Sequence, residues 1–111
     1  MKYSDEQRIH KIYENAVRLY QYIAENKIEK KELLISIPLQ WLVTTPLYNI
    51  GEHVYYLSGE YKEAHREIPW MMISGLRHRL VHDYDGTNWN IIADVVFEEL
   101  PVLIKELEKL V

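Results

Sequence analysis

The sequence contains no cysteine, so this 111-residue chain can form neither a disulfide nor a thiolate site. Its four glycines and four prolines are too few for a disordered, low-complexity chain. It has no apolar run of transmembrane length and no apolar signal core at its N-terminus, so we expect a cytoplasmic protein. The net charge of −4 argues against a broad nucleic-acid-binding surface, and any such site must be a local basic patch.

The first third of the chain shows helical rather than strand periodicity. Ser4 followed by Gln7 predicts a capping box at the start of a first helix. Apolar residues then recur at steps of three and four until about Asn26, where we expect the helix to end. Residues 27–32 are charged and mixed in sign, which indicates a solvated connector of at most one helical turn.

The rest of the chain continues the helical pattern. Ser36 predicts the start of a second helix, in which we expect Pro46 to produce a kink. A short helical segment follows, and then a helix that begins at Pro69. A final helix has an apolar face, and we expect Pro101 to bend this helix or open it locally. The pattern predicts one all-α domain over residues 1–111, an antiparallel bundle of four main helices plus a short extra helix.

Residues 68–84 combine an amphipathic helix with a group of reactive side chains at its C-terminal end. Arg77 lies on the apolar face of this helix, where a cation is costly unless it is paired or stands at an interface. Residues 77–84 hold two arginines, two histidines and a tyrosine. With His65 and Arg66 nearby, this is the basic cluster that a local site would use.

Three interpretations of this cluster stay open on the residues alone. In a purely structural interpretation, Arg77 pairs with a core carboxylate and His82 is hydrogen-bonded near a helix end. In a metal site, His78 and His82 at i, i+4 share one helix face, although no glutamate lies between them and no third ligand is evident. In metal-free phosphodiester chemistry, Arg77 holds a phosphate and His82 moves protons.

Helical geometry limits how Arg77 and His82 can act together. Five residues turn an ideal helix by roughly 140° from the starting azimuth, so the two side chains diverge on one helix. They converge on one ligand only if the helix loosens near its end or if a second subunit brings its own copies.

Gly51 and Glu52 form a second notable pair, inside the second predicted helix. Glycine in a helix costs about 1 kcal/mol against alanine, which is tolerable where a neighbouring helix needs a close approach. Glu52 is either a surface glutamate or a carboxylate directed toward Arg77 or His82.

An ordered series of motifs resembles the HEPN superfamily of all-helical ribonucleases, in particular the HepT-like toxins of HEPN/minimal-nucleotidyltransferase toxin–antitoxin pairs. Arg77, His82 and Tyr84 match the Arg-x4-His-x-Tyr signature. The segments at 50–52, 57–58, 68–70, 74–77 and 100–103 follow in the order and spacing of that group. His78 stands where the group usually has asparagine.

This resemblance implies a metal-independent endoribonuclease that needs no cofactor. Arg77 would bind the scissile phosphate and His82 would perform general acid–base catalysis on the RNA 2′-hydroxyl. Tyr84 would contact RNA or position His82, Glu52 would support the site, and His78 and Arg79 would be secondary phosphate contacts.

The resemblance also implies two partners. Two copies of the motif would face each other in the cleft of a homodimer. A minimal nucleotidyltransferase antitoxin would neutralise the protein by transferring adenylyl groups to Tyr84. Two other classes remain open, a non-catalytic helical binding partner of a nucleotidyltransferase and a plain helical dimerisation protein.

Overall fold

The computed structural model describes residues 2–81 and 86–111, and the regular elements in these ranges are all helical. They are α1 (Asp5–Glu25), α2 (Lys30–Ile35), α3 (Ile37–Tyr55), α4 (Gly59–Ala64), α5 (Trp70–Val81), α6 (Trp89–Asp94), a π-helical segment (Val95–Glu99) and α7 (Leu100–Glu108). The all-α prediction is therefore confirmed for the described residues. None of the helices in these ranges has the length and apolar character needed to span a membrane.

Helix α1 begins as the sequence predicts. Ser4 Oγ accepts a hydrogen bond from the Gln7 N–H at 3.1 Å, and Gln7 Oε1 accepts one from the Ser4 N–H at 2.9 Å. This capping box satisfies two donors that the first turn leaves without partners. Asn26 is the C-cap, and one face of the helix is buried through Ile9, Ile12, Ala16, Leu19 and Ile23.

Helix α2 lies partly inside the predicted connector over residues 27–32, so that prediction is only partly right. The helix buries Leu33, which is 1% exposed, and this burial explains why the chain continues helically beyond a single turn. Gln40 Nε2 donates to the Leu33 carbonyl at 3.0 Å and ties α2 to α3. Ser36 Oγ accepts from the Leu39 N–H at 3.3 Å, which confirms the predicted start of α3.

Helix α3 passes through Pro46 without ending. The Thr44 hydroxyl donates to the Gln40 carbonyl at 2.7 Å. That carbonyl is not the one freed by Pro46, which belongs to Leu42, four residues before the proline.

The final predicted helix is divided by the π-helical segment. Asn88 caps α6, since its Oδ1 accepts from the Asn90 N–H at 3.0 Å. The Leu100 N–H bonds to the Val95 carbonyl five residues earlier, one residue before Pro101 lacks an N–H altogether. The helix is thus locally opened next to Pro101, as the sequence predicts.

The expected count of four main helices plus one short helix is not confirmed. Both α2 and α4 are short, and the last predicted helix consists of α6, the π segment and α7. The core forms where α3 packs on α1 and α5 and where α7 packs on α1. Lys30 adds a surface link by pairing with Asp94 and Glu98 across α2 and the final helical region.

Candidate active site

Helices α3 and α5 approach each other closely at Gly51. A Cβ at this position would lie 2.9 Å from the Arg77 backbone nitrogen and 3.2 Å from the Ile73 carbonyl oxygen. Both neighbours are backbone atoms, which cannot move aside as a flexible side chain can. Glycine is therefore required sterically, and the expected close approach of a neighbouring helix is confirmed.

This close approach brings Arg77 against Glu52. Arg77 Nε donates to Glu52 Oε1 at 2.6 Å, and the two side chains are 29% and 30% exposed. The hydrogen bond to the carboxylate raises the pKa of Arg77 above its ordinary value, so the guanidinium stays charged. Of the two expectations for Glu52, the structure confirms a carboxylate directed toward Arg77.

The aromatic ring of Tyr55 holds Arg77 from a second direction. The guanidinium carbon lies 4.2 Å from the ring centroid, a cation–π distance. Sequence reasoning missed this contact, although Tyr55 follows Glu52 by three residues and such residues share a helix face. Arg77 is thus fixed by a carboxylate and a ring while part of its side chain remains open to solvent.

The apolar face of α5 explains the position of Arg77. Trp70, Ile73, Leu76 and Leu80 are buried, as the sequence predicts. Arg77 emerges at the edge of this face, where Glu52 compensates for the cost of burying part of a cation.

The other predicted site residues are distributed differently. His78 and Arg79 are exposed in the last turn of α5, next to Arg77 in sequence. His65 packs against Tyr61 with ring centroids 4.6 Å apart, and Arg66 pairs with Glu63 of α4 at 3.3 Å.

His82 and Tyr84 lie outside the described residues. Their predicted roles in catalysis and modification stay predictions, as does the metal interpretation that requires His78 with His82. Within residues 2–81 and 86–111, no three histidine, aspartate or glutamate side chains are grouped to hold a metal ion.

Comparison with known proteins identifies the family of the chain. The model of the family described as "Ribonuclease HepT-like" matches residues 12–110. The chain therefore belongs to the HepT-like ribonuclease family.

Several curated proteins are similar to the chain. The "Probable ribonuclease HepT" of Thermococcus cleftensis is 31% identical over 106 residues, covering 93% of this chain and 96% of that protein. The "Putative RNase MJ0127" of Methanocaldococcus jannaschii is 34% identical over 86 residues, covering 78% of this chain and 71% of that protein. The "Putative RNase TTE0752" of Caldanaerobacter subterraneus is 39% identical over 61 residues, covering 55% of this chain and only 54% of that protein. No solved structure matches the chain significantly.

Proposed function

We propose that this protein is a metal-independent endoribonuclease toxin whose active site is built on Arg77. The observation that carries the proposal is the fixed guanidinium, held by Glu52 at 2.6 Å and by the Tyr55 ring at 4.2 Å. An arginine held in advance stabilises charge that develops in a transition state without reorganising at that moment. Membership of the HepT-like ribonuclease family supports RNA as the substrate.

The proposed reaction uses the nucleophile that RNA itself carries. His82 removes the proton of the 2′-hydroxyl, because an imidazole has its reference pKa near neutrality. The 2′-oxygen attacks the adjacent phosphorus, the bond from phosphorus to the 5′-oxygen breaks, and that oxygen takes up a proton. The products are a 2′,3′-cyclic phosphate and a 5′-hydroxyl, while Arg77 balances the extra negative charge on the phosphate oxygens.

A homodimer would bring Arg77 and His82 from two subunits to one phosphate, which the two residues of a single helix cannot reach together. Trp41 and Tyr48 lie seven residues apart along α3, on nearly the same face. Trp41 is 62% exposed, and this uncharged stripe leads to the ring that holds Arg77. A second copy packed on the stripe would bring its own motif close. Sedimentation should give a dimer at micromolar concentration, with an interface of ~1,200 Å² or more; a monomer would contradict the shared cleft.

Control of the enzyme would pass through Tyr84 and a minimal nucleotidyltransferase antitoxin. Each adenylyl group adds a phosphate charge and a bulky base two residues from His82. That phosphate can pair with Arg77 by a charge-assisted contact and occupy the donor that RNA requires. Co-expression with such a nucleotidyltransferase should give intact-mass steps of one adenylyl unit that Tyr84→Phe abolishes. Full inhibition of an unmodified protein would instead mean inhibition by binding alone.

RNA cleavage by purified variants tests the catalytic proposal. Arg77→Ala and Arg77→Lys should each lower cleavage, the alanine variant by about 100- to 1,000-fold, because lysine lacks the planar fork and alanine lacks all donors. Arg18→Ala removes an exposed arginine of α1 that pairs with Glu14 and serves as the charge-matched control.

The same assay separates the alternatives. Cleavage that persists in a chelator and yields 2′,3′-cyclic phosphate ends supports the proposed reaction. Cleavage that stops in chelator and returns with zinc would support the metal site at His78 and His82. A wild-type protein that binds a nucleotidyltransferase but never cleaves RNA would be the non-catalytic binding partner.

A further inference from the structure

A second cationic group lies where α1 meets the C-terminal end of α3, and Arg8 is at its centre. The Arg8 guanidinium carbon lies 5.1 Å from the Tyr56 ring centroid and 5.5 Å from that of Tyr3. Arg8 Nη1 lies 3.2 Å from His53 Nδ1, which must be the acceptor because a guanidinium only donates. Lys11 adds a second cation, 5.0 Å from the Tyr3 ring centroid.

Contacts between aromatic rings connect this group to the candidate active site. Tyr55, which holds Arg77, meets Tyr56 edge to face with ring centroids 5.0 Å apart. Tyr55 and Tyr56 are 51% and 53% exposed, so both rings present surface to solvent. These cations and rings thus form one series of contacts, which we name the cation–aromatic track and define by Arg77, Tyr55, Tyr56, Arg8, Tyr3 and Lys11.

The track beyond Arg77 is positively charged and not neutralised. Among the described residues, no carboxylate forms an ion pair with Arg8 or Lys11. Asp5, three residues before Arg8, directs its carboxylate to the backbone and hydroxyl of Ser58 at 2.9 and 2.6 Å. The cationic groups are therefore available to an anionic ligand.

The location of Arg8 is also fixed by the fold. The two bonds from Asp5 to Ser58 fasten the start of α1 to the start of α4, close to the end of α3. Arg8 is one turn further along α1 and is held between two rings and an imidazole. A long side chain that is already ordered loses less conformational entropy when it binds a phosphate.

We propose that the cation–aromatic track is a binding subsite for single-stranded RNA, which holds the nucleotides flanking the phosphate at Arg77. Exposed tyrosine rings stack on unpaired bases of any sequence, and arginine and lysine between them bind the backbone phosphates. Bases in a duplex cannot reach such rings, so the substrate class is an unpaired segment. The inference rests on the proposed function for its substrate and adds the surface that selects it.

A non-cleavable probe tests binding separately from catalysis. The probe is a fluorescein-labelled, mixed-sequence, single-stranded RNA of 12 nucleotides with every 2′-hydroxyl methylated, so that no internal nucleophile remains. We expect Tyr56→Ala to raise the Kd of the wild-type protein roughly fivefold or more. Arg8→Ala should also raise the Kd and should lower the slope of log K against log salt by about 0.7, the value for one lost phosphate contact on a single strand.

Two control variants lie on the same helix as Arg8. Arg18→Ala removes an equal charge from a side chain that is 78% exposed, and Tyr20→Ala removes an exposed ring outside the track. Both should bind the probe like the wild-type protein. Helical content measured by circular dichroism excludes unfolding as the cause, and Tyr56→Ala keeps the test valid if Arg8→Ala fails to fold.

The outcomes distinguish this proposal from the proposed function. Loss of binding in the Arg8 and Tyr56 variants alone supports the track, even if the wild-type protein cleaves no RNA, which would refute only the catalytic proposal. Equal binding by the track and control variants, or equal affinity for an RNA duplex, would overturn the track while leaving wild-type cleavage intact. With cleavable RNA, Arg8→Ala should raise KM for the 12-mer, whereas Arg18→Ala should not.

Discussion

Arg77 and Arg8 are both held against tyrosine rings on neighbouring surfaces, but they differ in what balances their charge. Arg77 is bonded to the Glu52 carboxylate, whereas Arg8 is bonded to an imidazole and pairs with no carboxylate among the described residues. A paired arginine is oriented and loses much of its attraction for distant anions. An unpaired one keeps a field that attracts phosphate.

This difference in pairing distinguishes an arginine that its partner holds in position from an arginine that attracts anions. At Arg77 the carboxylate fixes one guanidinium nitrogen, and in the proposed function the others bind the reacting phosphate. At Arg8 the two tyrosine rings hold the side chain in place without neutralising its charge. Lys30 is the opposite extreme, because two carboxylates surround it, and its role is to connect helices.

Among changes that leave both arginines in place, removing the charge of Glu52 should give the largest effect and make Arg77 resemble Arg8. Glu52→Gln keeps the shape of the side chain but replaces a charge-assisted hydrogen bond with a weaker one. We expect RNA cleavage to fall by about 10- to 100-fold, while the Kd for the methylated probe stays equal or decreases. Glu60→Gln, an exposed glutamate of α4, is the control. Unchanged cleavage would show that Arg77 needs no orientation by Glu52.

Separating α3 from α5 should damage the Arg77 region alone. Gly51→Ala places a Cβ 2.9 Å from the Arg77 backbone nitrogen, and overpacking of this kind costs about 1–3 kcal/mol of unfolding free energy. Gly75→Ala is the matched control, since a Cβ there meets nothing within 4 Å and should stabilise α5 by up to about 1 kcal/mol. Denaturant unfolding measures both. Equal stability of the two variants would contradict the described helix contact.

Acidification should act on the Arg8 region through His53. Burial, then the charges of Arg8 and Lys11, lower the pKa of His53 from its ordinary 6.5, although Glu52 acts in the opposite direction. The unfolded chain therefore binds a proton more readily than the folded one. Neutral His53 therefore makes its full contribution to the free energy of unfolding above pH 6.5. This contribution is lost as the pH falls through the lowered pKa.

Thermal unfolding measured across this pH range shows whether acidification lowers the stability as predicted. His53→Gln should weaken the dependence of Tm on pH. His10→Gln, a substitution at an exposed position on α1, should leave that dependence unchanged. A slope that is identical in the wild-type and His53→Gln proteins would show that His53 is not responsible.

Lys30 should give the smallest effect. Lys30→Met removes exposed ion pairs with Asp94 and Glu98, and such surface pairs contribute little to stability. We expect a slightly lower Tm, with no change in RNA binding. A loss of RNA binding as large as that of Arg8→Ala would contradict the idea that neutralisation distinguishes these cations.

Local patterns along the chain predicted much of the fold. The capping box at Ser4, the start of α3 at Ser36, the apolar face of α5 and the opening beside Pro101 each depend on residues within a few positions of one another. Helix α2 was underestimated because its stability comes from burying Leu33 against distant parts of the chain. The expected number of bundle helices was not confirmed, because α2 and α4 are short and the last helix is divided by the π-helical segment.

The candidate site was predicted in part. The motif containing Arg77 and the close approach at Gly51 follow from residue types and spacing. The choice between a surface glutamate and a partner of Arg77 could not be made for Glu52, because 25 residues separate the two. Tyr55 shares a helix face with Glu52, but its contact with Arg77 depends on the packing of α5 against α3, which the sequence does not show.

The sequence by itself determined that this protein is helical, that it carries the HepT-like motif, and where most helices begin. Periodicity and capping are local properties, and a linear chain displays them directly. Only the tertiary structure decided that Glu52 and Tyr55 hold Arg77, and that Arg8 and Lys11 on α1 continue the same surface. Those contacts join residues far apart in sequence, and they exist only once α1 and α5 have packed on α3.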